Sequence, residues 1–215
     1  YMHKAQVMNG FFNFLYLCKS RSYKIYIVSH KTKYGHYDKT KTLLRKSALE
    51  WIKTNDFLNK SFSNISKKNI FFYSSQSKKI KKIKDLRCHI FIDDLESIFD
   101  NTNFPIKTKK ILINPSKIYY NNLYFKGNWD EITKKIFGKL KKKDIKLYLS
   151  RLNLNNIKNI KKIKGSGNSQ LYKIRADKDK NYALKVYPSK YFDQRERLRK
   201  EFYSFNYLRK NNFTN

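Results

Sequence analysis

Residues 88–100 read CHIFIDDLESIFD, a short apolar run that ends in two aspartates and is followed at once by a helical pattern. Apolar runs of roughly four to eight residues that are rich in Ile and Phe are typical of buried β-strands. Further strands are predicted at 23–29, 69–75 and 110–114. Strands that alternate with helices and are apolar throughout indicate a parallel sheet covered on both faces. We therefore predict an α/β, Rossmann-like domain over residues 1–115.

A helix is predicted before the first of these strands, at about 8–20, and others are predicted between the strands, at about 41–58, 78–86 and 95–100. Residues 116–157 differ from the rest because they carry glycines and a run of lysines, and we predict that they connect two domains through two helices. Residues 158–215 are predicted to form a hairpin followed by a helix, which makes a partial α+β lobe.

The formal net charge of the 215-residue chain is +33, from 49 Lys and Arg against 16 Asp and Glu. Such an excess is typical of proteins that bind polyanions. Only nine of the basic residues are Arg, however, and Arg is the residue that recognises bases and phosphates through paired hydrogen bonds. We therefore predict a solvated basic surface that binds nucleic acid weakly and without sequence preference.

Two features bear on the location of the protein. Cys18 and Cys88 match neither the spacing of a zinc site nor that of a disulfide framework, which favours a reducing, cytoplasmic compartment. No apolar run approaches the roughly 18 residues needed to cross a bilayer, so no membrane partner is predicted.

Polar residues stand at the ends of three predicted elements. Ser29 ends one strand, Lys79 opens a lysine-rich helix, and Asp93 and Asp94 end another strand. Because the carboxyl ends of parallel strands meet at one edge of a sheet, we expect these groups to converge there. A hydroxyl and an ammonium can hold a phosphoryl group, and paired carboxylates can hold Mg²⁺. The aspartates are equally suited to cap the helix that begins at Leu95, an interpretation that needs no metal.

This order of residues resembles the haloacid dehalogenase (HAD) superfamily of phosphohydrolases. In that family a strand-end Ser or Thr, a Lys and an acidic pair form the second, third and fourth motifs, and IYIVSHKT and CHIFIDDLESIF are similar to the second and the fourth. The resemblance implies catalytic roles for Ser29 and Lys79 and a Mg²⁺ site at Asp93 and Asp94. It also implies a phosphorylated small molecule as substrate.

The resemblance to the HAD family has two weak points. The family's nucleophile is an Asp in an Asp-x-Asp motif on an earlier strand, and no such motif precedes Ser29. Either the domain has lost catalysis or, as we expect, that motif lies before Tyr1 in a longer protein. The third motif is ambiguous, because five lysines lie between residues 78 and 84, from which we choose Lys79.

The segment GSGNSQLYKIRADKDKNYALKVYP, residues 165–188, begins with a glycine loop and continues as two strands around a charged turn. Gly165 and Gly167 permit a tight loop whose backbone N–H groups can approach phosphates. Lys185 lies on the second strand, where we expect its apolar neighbours in YALKV to restrict its exposure. Glu201, on the following helix, is predicted to pair with it. An ordinary glycine turn beside a solvated lysine is the alternative.

This second pattern resembles the N-terminal lobe of the aminoglycoside phosphotransferases and choline kinases, which are relatives of protein kinases. The resemblance covers about residues 158–215. It implies that the glycine loop covers the phosphates of ATP, that Lys185 contacts them and that Glu201 orients Lys185. The loop residues with this implied role are Gly165, Ser166, Gly167, Asn168 and Ser169. The catalytic loop of that family is expected beyond Asn215.

Together the two resemblances predict a fragment of a bifunctional protein. One half would remove phosphate with the help of Mg²⁺, and the other would transfer phosphate from ATP to a small metabolite such as a sugar, an amino alcohol or a surface-glycan precursor. Neither half is expected to turn over in the chain as it stands. The alternatives are a basic, non-enzymatic nucleic-acid-binding protein and a degenerate scaffold that keeps both folds only to hold partners.

Overall fold

The computed structural model describes residues 4–35, 40–61, 63–113, 123–163, 169–177, 180–188 and 195–211. The chain is of the α/β class, with parallel strands in its N-terminal part and an antiparallel sheet in its C-terminal part. It divides into two compact units, Tyr1–Asp144 and Ile145–Asn215. This division falls inside the predicted connecting segment, 116–157.

The elements of the first unit are, in chain order, α1 (Phe11–Ser20), β1 (Ile27–His30), α2 (Leu44–Thr54), a 3-10 turn (Lys67–Asn69), β2 (Ile70–Tyr73), α3 (Gln76–Asp85), β3 (Ile90–Asp93), α4 (Glu96–Phe99), β4 (Lys109–Ile113), β5 (Phe125–Gly127) and α5 (Trp129–Phe137). Strand β1 begins four residues later than predicted. The reason is local, because the Tyr23 N–H donates to the carbonyl of Cys18 and so belongs to the end of α1.

The strands of the first unit pair in parallel, β1 with β2, β3 with β4, and β4 with β5. The sequence predicted one sheet, whereas the backbone hydrogen bonds of the described residues form two, β1–β2 and β3–β4–β5. Side-chain packing nevertheless connects them, because Val28 of β1 and Phe91 of β3 lie in the same apolar core.

Helices cover these strands on both faces. Successive residues of a strand point to opposite sides, so each strand supplies two cores. One core joins α1 and α5 to Ile27, Ile90 and Ile111. The other joins α3 and α4 to Val28, Phe91 and Leu112. This arrangement explains why the strands are apolar at nearly every position.

Strand β5 and helix α5 extend the first unit beyond residue 115. The helix begins with a capping box, in which the Asn128 side chain accepts the Asp130 and Glu131 N–H groups while the Glu131 carboxylate accepts the Asn128 N–H. Such reciprocal bonds satisfy N–H groups that have no partner within the helix. The three residues of β5 are too few to produce a strand pattern in the sequence.

A buried ion pair joins the first helix of this unit to its last residue. Asp144 is 1% exposed and accepts hydrogen bonds from Arg21 Nη2 at 2.9 Å, the Lys141 N–H at 2.7 Å and the Ser20 hydroxyl. Arg21 also donates to the Phe137 carbonyl at 2.7 Å, at the end of α5. One guanidinium therefore ties α1 to the end of α5 and to the residues that follow it.

The remaining elements are α6 (Lys142–Arg151), β6 (Asn159–Ile163), β7 (Gln170–Arg175), β8 (Asn181–Val186) and α7 (Arg197–Lys210). The three strands form an antiparallel sheet in the order β6-β7-β8, in which β7 and β8 are the predicted hairpin. Its core contains Ile160, Tyr172 and Ile174. Strand β6 was not predicted, because its sequence NIKKI buries only Ile160.

The last helix, α7, carries large apolar side chains on its surface. Leu198, Phe202 and Phe205 are each more than half exposed. None of the helices in the described part of the chain is long and apolar enough to cross a bilayer.

Candidate functional site

Ser29, Lys79 and Asp93 lie at the carboxyl edge of the parallel strands. Ser29 is the penultimate residue of β1, and the next residue, His30, places its Nε2 3.1 Å from the Ser74 carbonyl that follows β2. Lys79 lies in the first half of α3 and reaches Asp93, the last residue of β3. The carboxyl ends of β1 and β2 therefore meet, and Lys79 joins the helix that follows β2 to the carboxyl end of β3.

The contact between Lys79 and Asp93 is a buried ion pair. Lys79 Nζ donates to Asp93 Oδ2 at 2.5 Å, and the two side chains are 6% and 8% exposed. Asp93 Oδ1 accepts the Leu95 N–H at 3.1 Å, which fixes the turn before α4. It does not cap the helix as the alternative interpretation predicted, because α4 begins at Glu96 with Leu95 as its N-cap and without a side-chain cap. Ser29 forms no hydrogen bond with either member of the pair.

The second aspartate, Asp94, is exposed and has no hydrogen bond or ion pair with the described residues. Among those residues, no group of three or more His, Cys, Asp or Glu side chains is placed to hold a metal ion. Mg²⁺ commonly binds through one or two carboxylates, with waters and phosphate oxygens as its other ligands. Asp93 and Asp94 supply two carboxylates, which is the number that such a site uses.

In the second unit, Lys185 of β8 contacts Glu201 of α7. Lys185 Nζ donates to Glu201 Oε1 at 2.6 Å, and the Tyr187 hydroxyl donates to Glu201 Oε2 at 2.6 Å. Lys185 Nζ also lies 5.0 Å from the centre of the Tyr187 ring. Tyr187 was missed in the sequence, although a residue two positions from Lys185 is expected on the same side of a strand.

The prediction that apolar neighbours restrict the exposure of Lys185 is wrong. Its side chain is 40% exposed, and that of Glu201 is 37% exposed. Because side chains alternate along β8, Leu184 and Val186 pack on the core while Ala183 and Lys185 point to the opposite, exposed face. The ammonium is therefore accessible from solvent.

Hydrogen bonding sets the protonation states of this group of three residues. The bond to Glu201 raises the pKa of Lys185. The bonds from Lys185 and Tyr187 lower the pKa of Glu201. Burial and the bond to Glu201 raise the pKa of Tyr187. At neutral pH the group therefore holds an ammonium, a carboxylate and a neutral phenol.

Of the predicted glycine loop, Gly165, Ser166, Gly167 and Asn168 lie outside the described residues. Ser169, which directly precedes β7, is described. Its hydroxyl oxygen is buried and has no hydrogen-bond partner in the described part of the chain. A buried hydroxyl without a partner is costly, so this group is available to donate to a ligand oxygen.

Comparison of the chain with protein-family models, with curated proteins and with solved structures gives no match. What each site can do chemically therefore follows from its own geometry. The first site offers a buried ammonium and two carboxylates at the end of β3, with the Ser29 hydroxyl near the end of β1. The second offers an oriented, accessible ammonium, and its unit also contains the Ser169 hydroxyl, which has no partner among the described residues.

Proposed function

We propose that the second unit is the nucleotide-binding lobe of an ATP-dependent phosphotransferase that acts on a small molecule. The observation that carries this proposal is the 2.6 Å contact of Lys185 with Glu201, which joins a strand to the following helix. A lysine held by a carboxylate presents its ammonium in a fixed orientation, as alignment of phosphate groups requires.

The surroundings of Lys185 support this role. The 40% exposure of its side chain leaves room for a ligand to approach. Tyr187 holds the second oxygen of Glu201, which limits the rotation of that carboxylate. In this proposal Lys185 neutralises phosphate charge, Ser169 donates to a phosphate oxygen, and bound ATP supplies the phosphoryl group. The acceptor classes are those that the resemblance implies: a sugar, an amino alcohol or a surface-glycan precursor.

Binding of ATP to the second unit tests the proposal. In ¹⁵N NMR spectra of the whole chain, Mg·ATP should shift the amides of Ser169, Lys185 and Glu201, and Lys185→Ala should weaken that binding. Lys158→Ala is the matched control, because Lys158 forms an exposed pair with Asp177 in the same unit, at 3.6 Å. An equal loss of affinity in both variants, or no shifts in the second unit, would contradict the proposal.

A second candidate function belongs to the first unit. We propose a Mg²⁺-dependent phosphohydrolase site at the carboxyl edge of β1 and β3, and the buried pair of Lys79 and Asp93 is the observation that favours it. Lys79 would neutralise substrate phosphate, Ser29 would donate to one of its oxygens, and Asp93 and Asp94 would hold the metal, which supplies Lewis-acid polarisation of the phosphoryl group.

Mg²⁺ titration tests the second candidate. Mg²⁺ should shift the amides of Asp93 and Asp94 in the NMR spectrum, and Asp94→Asn should abolish these shifts. Asp85→Asn, which changes an exposed aspartate at the end of α3, should leave them unchanged. If Mg²⁺ shifts no amide near Asp93, or does so equally in Asp94→Asn, the metal site is wrong.

If both units act, the protein combines phosphate removal with phosphate transfer on a small metabolite. That combination requires an Asp-x-Asp motif before residue 1 and a catalytic aspartate after residue 215 in the complete reading frame. A complete reading frame without either would overturn the bifunctional proposal and leave the scaffold alternative.

A further inference from the structure

A cleft of about 600 Å³ opens in the first unit at the amino end of β4. Its wall is formed by the loop after α4 and by the residues that lead into β5, and it includes Thr102, Phe104 and Tyr124. This volume lies within the roughly 300–1,000 Å³ that is typical of small-molecule sites.

The cleft is distinct from the site at Asp93. In the register of β3 and β4, Ile90 pairs with Lys109 and Asp93 pairs with Leu112. Lys109 begins β4 and lines the cleft, whereas Asp93 lies three residue pairs further along the same sheet. At about 3.3 Å per residue, roughly 10 Å of strand separates the two positions.

Two ammonium groups lie near the ring of Tyr124, one from Lys109, which lines the cleft, and one from Lys135 of α5, which is not among the residues of its wall. Lys109 Nζ lies 4.4 Å and Lys135 Nζ 5.4 Å from the centre of its ring. Lys109 comes from β4 and Lys135 from α5, so two regular elements hold these charges beside the ring. Neither lysine has an ion-pair partner among the described residues. The site therefore gathers positive charge that the described chain does not neutralise.

The wall of the cleft contains two further charged residues, one positive and one negative. Lys110 lines it and donates to the Phe99 carbonyl at 2.7 Å, which fixes the position of its ammonium. Asp100 is the carboxylate that the described wall contributes. Positive charge in a concave site concentrates anions, because the surrounding protein screens it less than bulk water does.

Apolar side chains complete the cleft. Leu123 and Phe104 line it, and Ile106 is 98% exposed at its edge. A ligand that covers a large, exposed apolar side chain removes apolar surface from water, which favours binding. A ligand that suits this wall therefore combines an anionic group with an apolar body.

We propose that this cleft binds a small organic phosphate, with the phosphate at Lys109 and Lys135 and the organic body against Tyr124, Leu123 and Ile106. This site is independent of both proposed active sites. Its elements all belong to the first unit, and it shares no residue with either of them.

Phenyl phosphate is the probe that tests this inference. In ¹⁵N NMR titrations of the whole chain it should shift the amides of Thr102, Lys109 and Tyr124, and it should bind more tightly than inorganic phosphate. Lys109→Ala and Lys135→Ala should each weaken binding about tenfold, as the loss of one charge-assisted hydrogen bond predicts. Amides remote from the cleft report whether each variant keeps its fold.

One variant serves as the control. Lys46→Ala removes an exposed lysine of α2 and should leave the affinity unchanged. The inference is overturned if inorganic phosphate binds as tightly as phenyl phosphate, if Lys46→Ala loses as much affinity as Lys109→Ala, or if an eight-residue oligothymidylate at equal phosphate concentration displaces the probe.

Discussion

Lys79 and Lys185 each bind an acidic residue on another element, but they differ in exposure. The Lys79 side chain is 6% exposed and that of Lys185 is 40% exposed. A buried charge that loses its partner is strongly destabilising, whereas an exposed pair contributes little to stability. The Lys79 pair is therefore part of the framework of its site, while the Lys185 pair is better explained by orientation of a ligand.

Removal of one partner of the buried pair should destabilise the first unit. We expect Asp93→Ala to lower its free energy of unfolding by about 3–5 kcal/mol, because the Lys79 ammonium then stays buried without a counter-ion. Urea unfolding followed by tryptophan fluorescence measures this, since both tryptophans, Trp51 and Trp129, lie in the first unit.

The control for this prediction is the exposed pair of Lys53 and Glu50, which lies on α2 at 2.5 Å. Glu50→Ala should change the urea midpoint far less than Asp93→Ala does, because an exposed pair contributes little to stability. Replacement of both buried partners, as Lys79→Met with Asp93→Leu, should cost less than Asp93→Ala alone, because no charge remains buried. If Asp93→Ala lowers the free energy of unfolding by as little as Glu50→Ala does, the pair of Lys79 and Asp93 is not buried in solution.

The exposed pair of Lys185 and Glu201 should contribute to catalytic turnover rather than to stability. If the second unit is the proposed nucleotide-binding lobe, Lys185→Ala should lower kcat of the ATP-dependent reaction by roughly 100-fold or more with a modest loss of nucleotide affinity, because misalignment of phosphates costs most in the transition state. Glu201→Ala should damage the same step. The double variant should be little worse than either single variant, since residues that act as a unit are not additive.

Phosphohydrolase activity, assayed separately, should be unchanged in these three variants. Full ATP-dependent activity in Lys185→Ala would remove the basis for a kinase-like lobe. A double variant whose losses multiply would show that Lys185 and Glu201 act independently.

At the scale of elements, the contact between α1 and the residues that follow α5 depends on the ionised carboxylate of Asp144. Burial alone would raise the pKa of this carboxyl, but hydrogen bonds from Arg21, Ser20 and the Lys141 N–H, together with the charge of Arg21, outweigh burial and lower the pKa below its ordinary 3.8. The ionised form is therefore the one that joins α1 to the residues after α5.

This lowered pKa predicts a loss of stability in acid. A carboxyl whose pKa is lower in the folded state stabilises the fold fully above its ordinary pKa, and that contribution is lost as pH falls through the folded-state pKa. Between pH 5 and pH 3, the urea midpoint of the wild type should therefore fall more than that of Asp144→Asn. The same tryptophan signal measures both midpoints.

Asp85→Asn is the matched comparison, because Asp85 is an exposed aspartate of the same unit. It should follow the wild-type pH dependence. Equal pH dependence in the wild type and in Asp144→Asn would mean that Asp144 does not titrate with unfolding.

At the scale of the whole molecule, the sequence predicted what local patterns encode. The apolar runs around Val28, Phe91 and Ile111 identified strands that are covered on both faces, which fixes the α/β class. Strands β5 and β6 were not predicted. Strand β5 has three residues, and β6 buries only Ile160, so neither leaves a periodic pattern in the sequence.

The candidate site was predictable to a similar degree. The order of residues placed Lys79 and Asp93 at one sheet edge, and the structure joins them. The hydroxyl that holds Glu201 and the cleft beside Tyr124 depend on tertiary neighbours, which no spacing along the chain reveals. The shielding of Lys185 was misjudged because apolar neighbours in sequence lie on the opposite face of a strand.

The charge of +33 belongs to the molecule as a whole. We expect binding to any single-stranded oligonucleotide to weaken at least about tenfold when NaCl rises from 50 to 200 mM, because bound counterions are released on association. Fluorescence anisotropy with two oligonucleotides of unrelated sequence measures this. A clear preference for one sequence at 150 mM salt would instead favour the nucleic-acid-binding alternative.

Arg21 and Asp144 lie 123 residues apart in the chain. A ribosome adds about 5–20 residues per second, so the carboxylate is made roughly 6–25 s after the guanidinium that binds it. Helix α5, against which the apolar face of α1 packs, is complete only when Phe137 has been added. A nascent chain interrupted before residue 129 therefore exposes that face to chaperones.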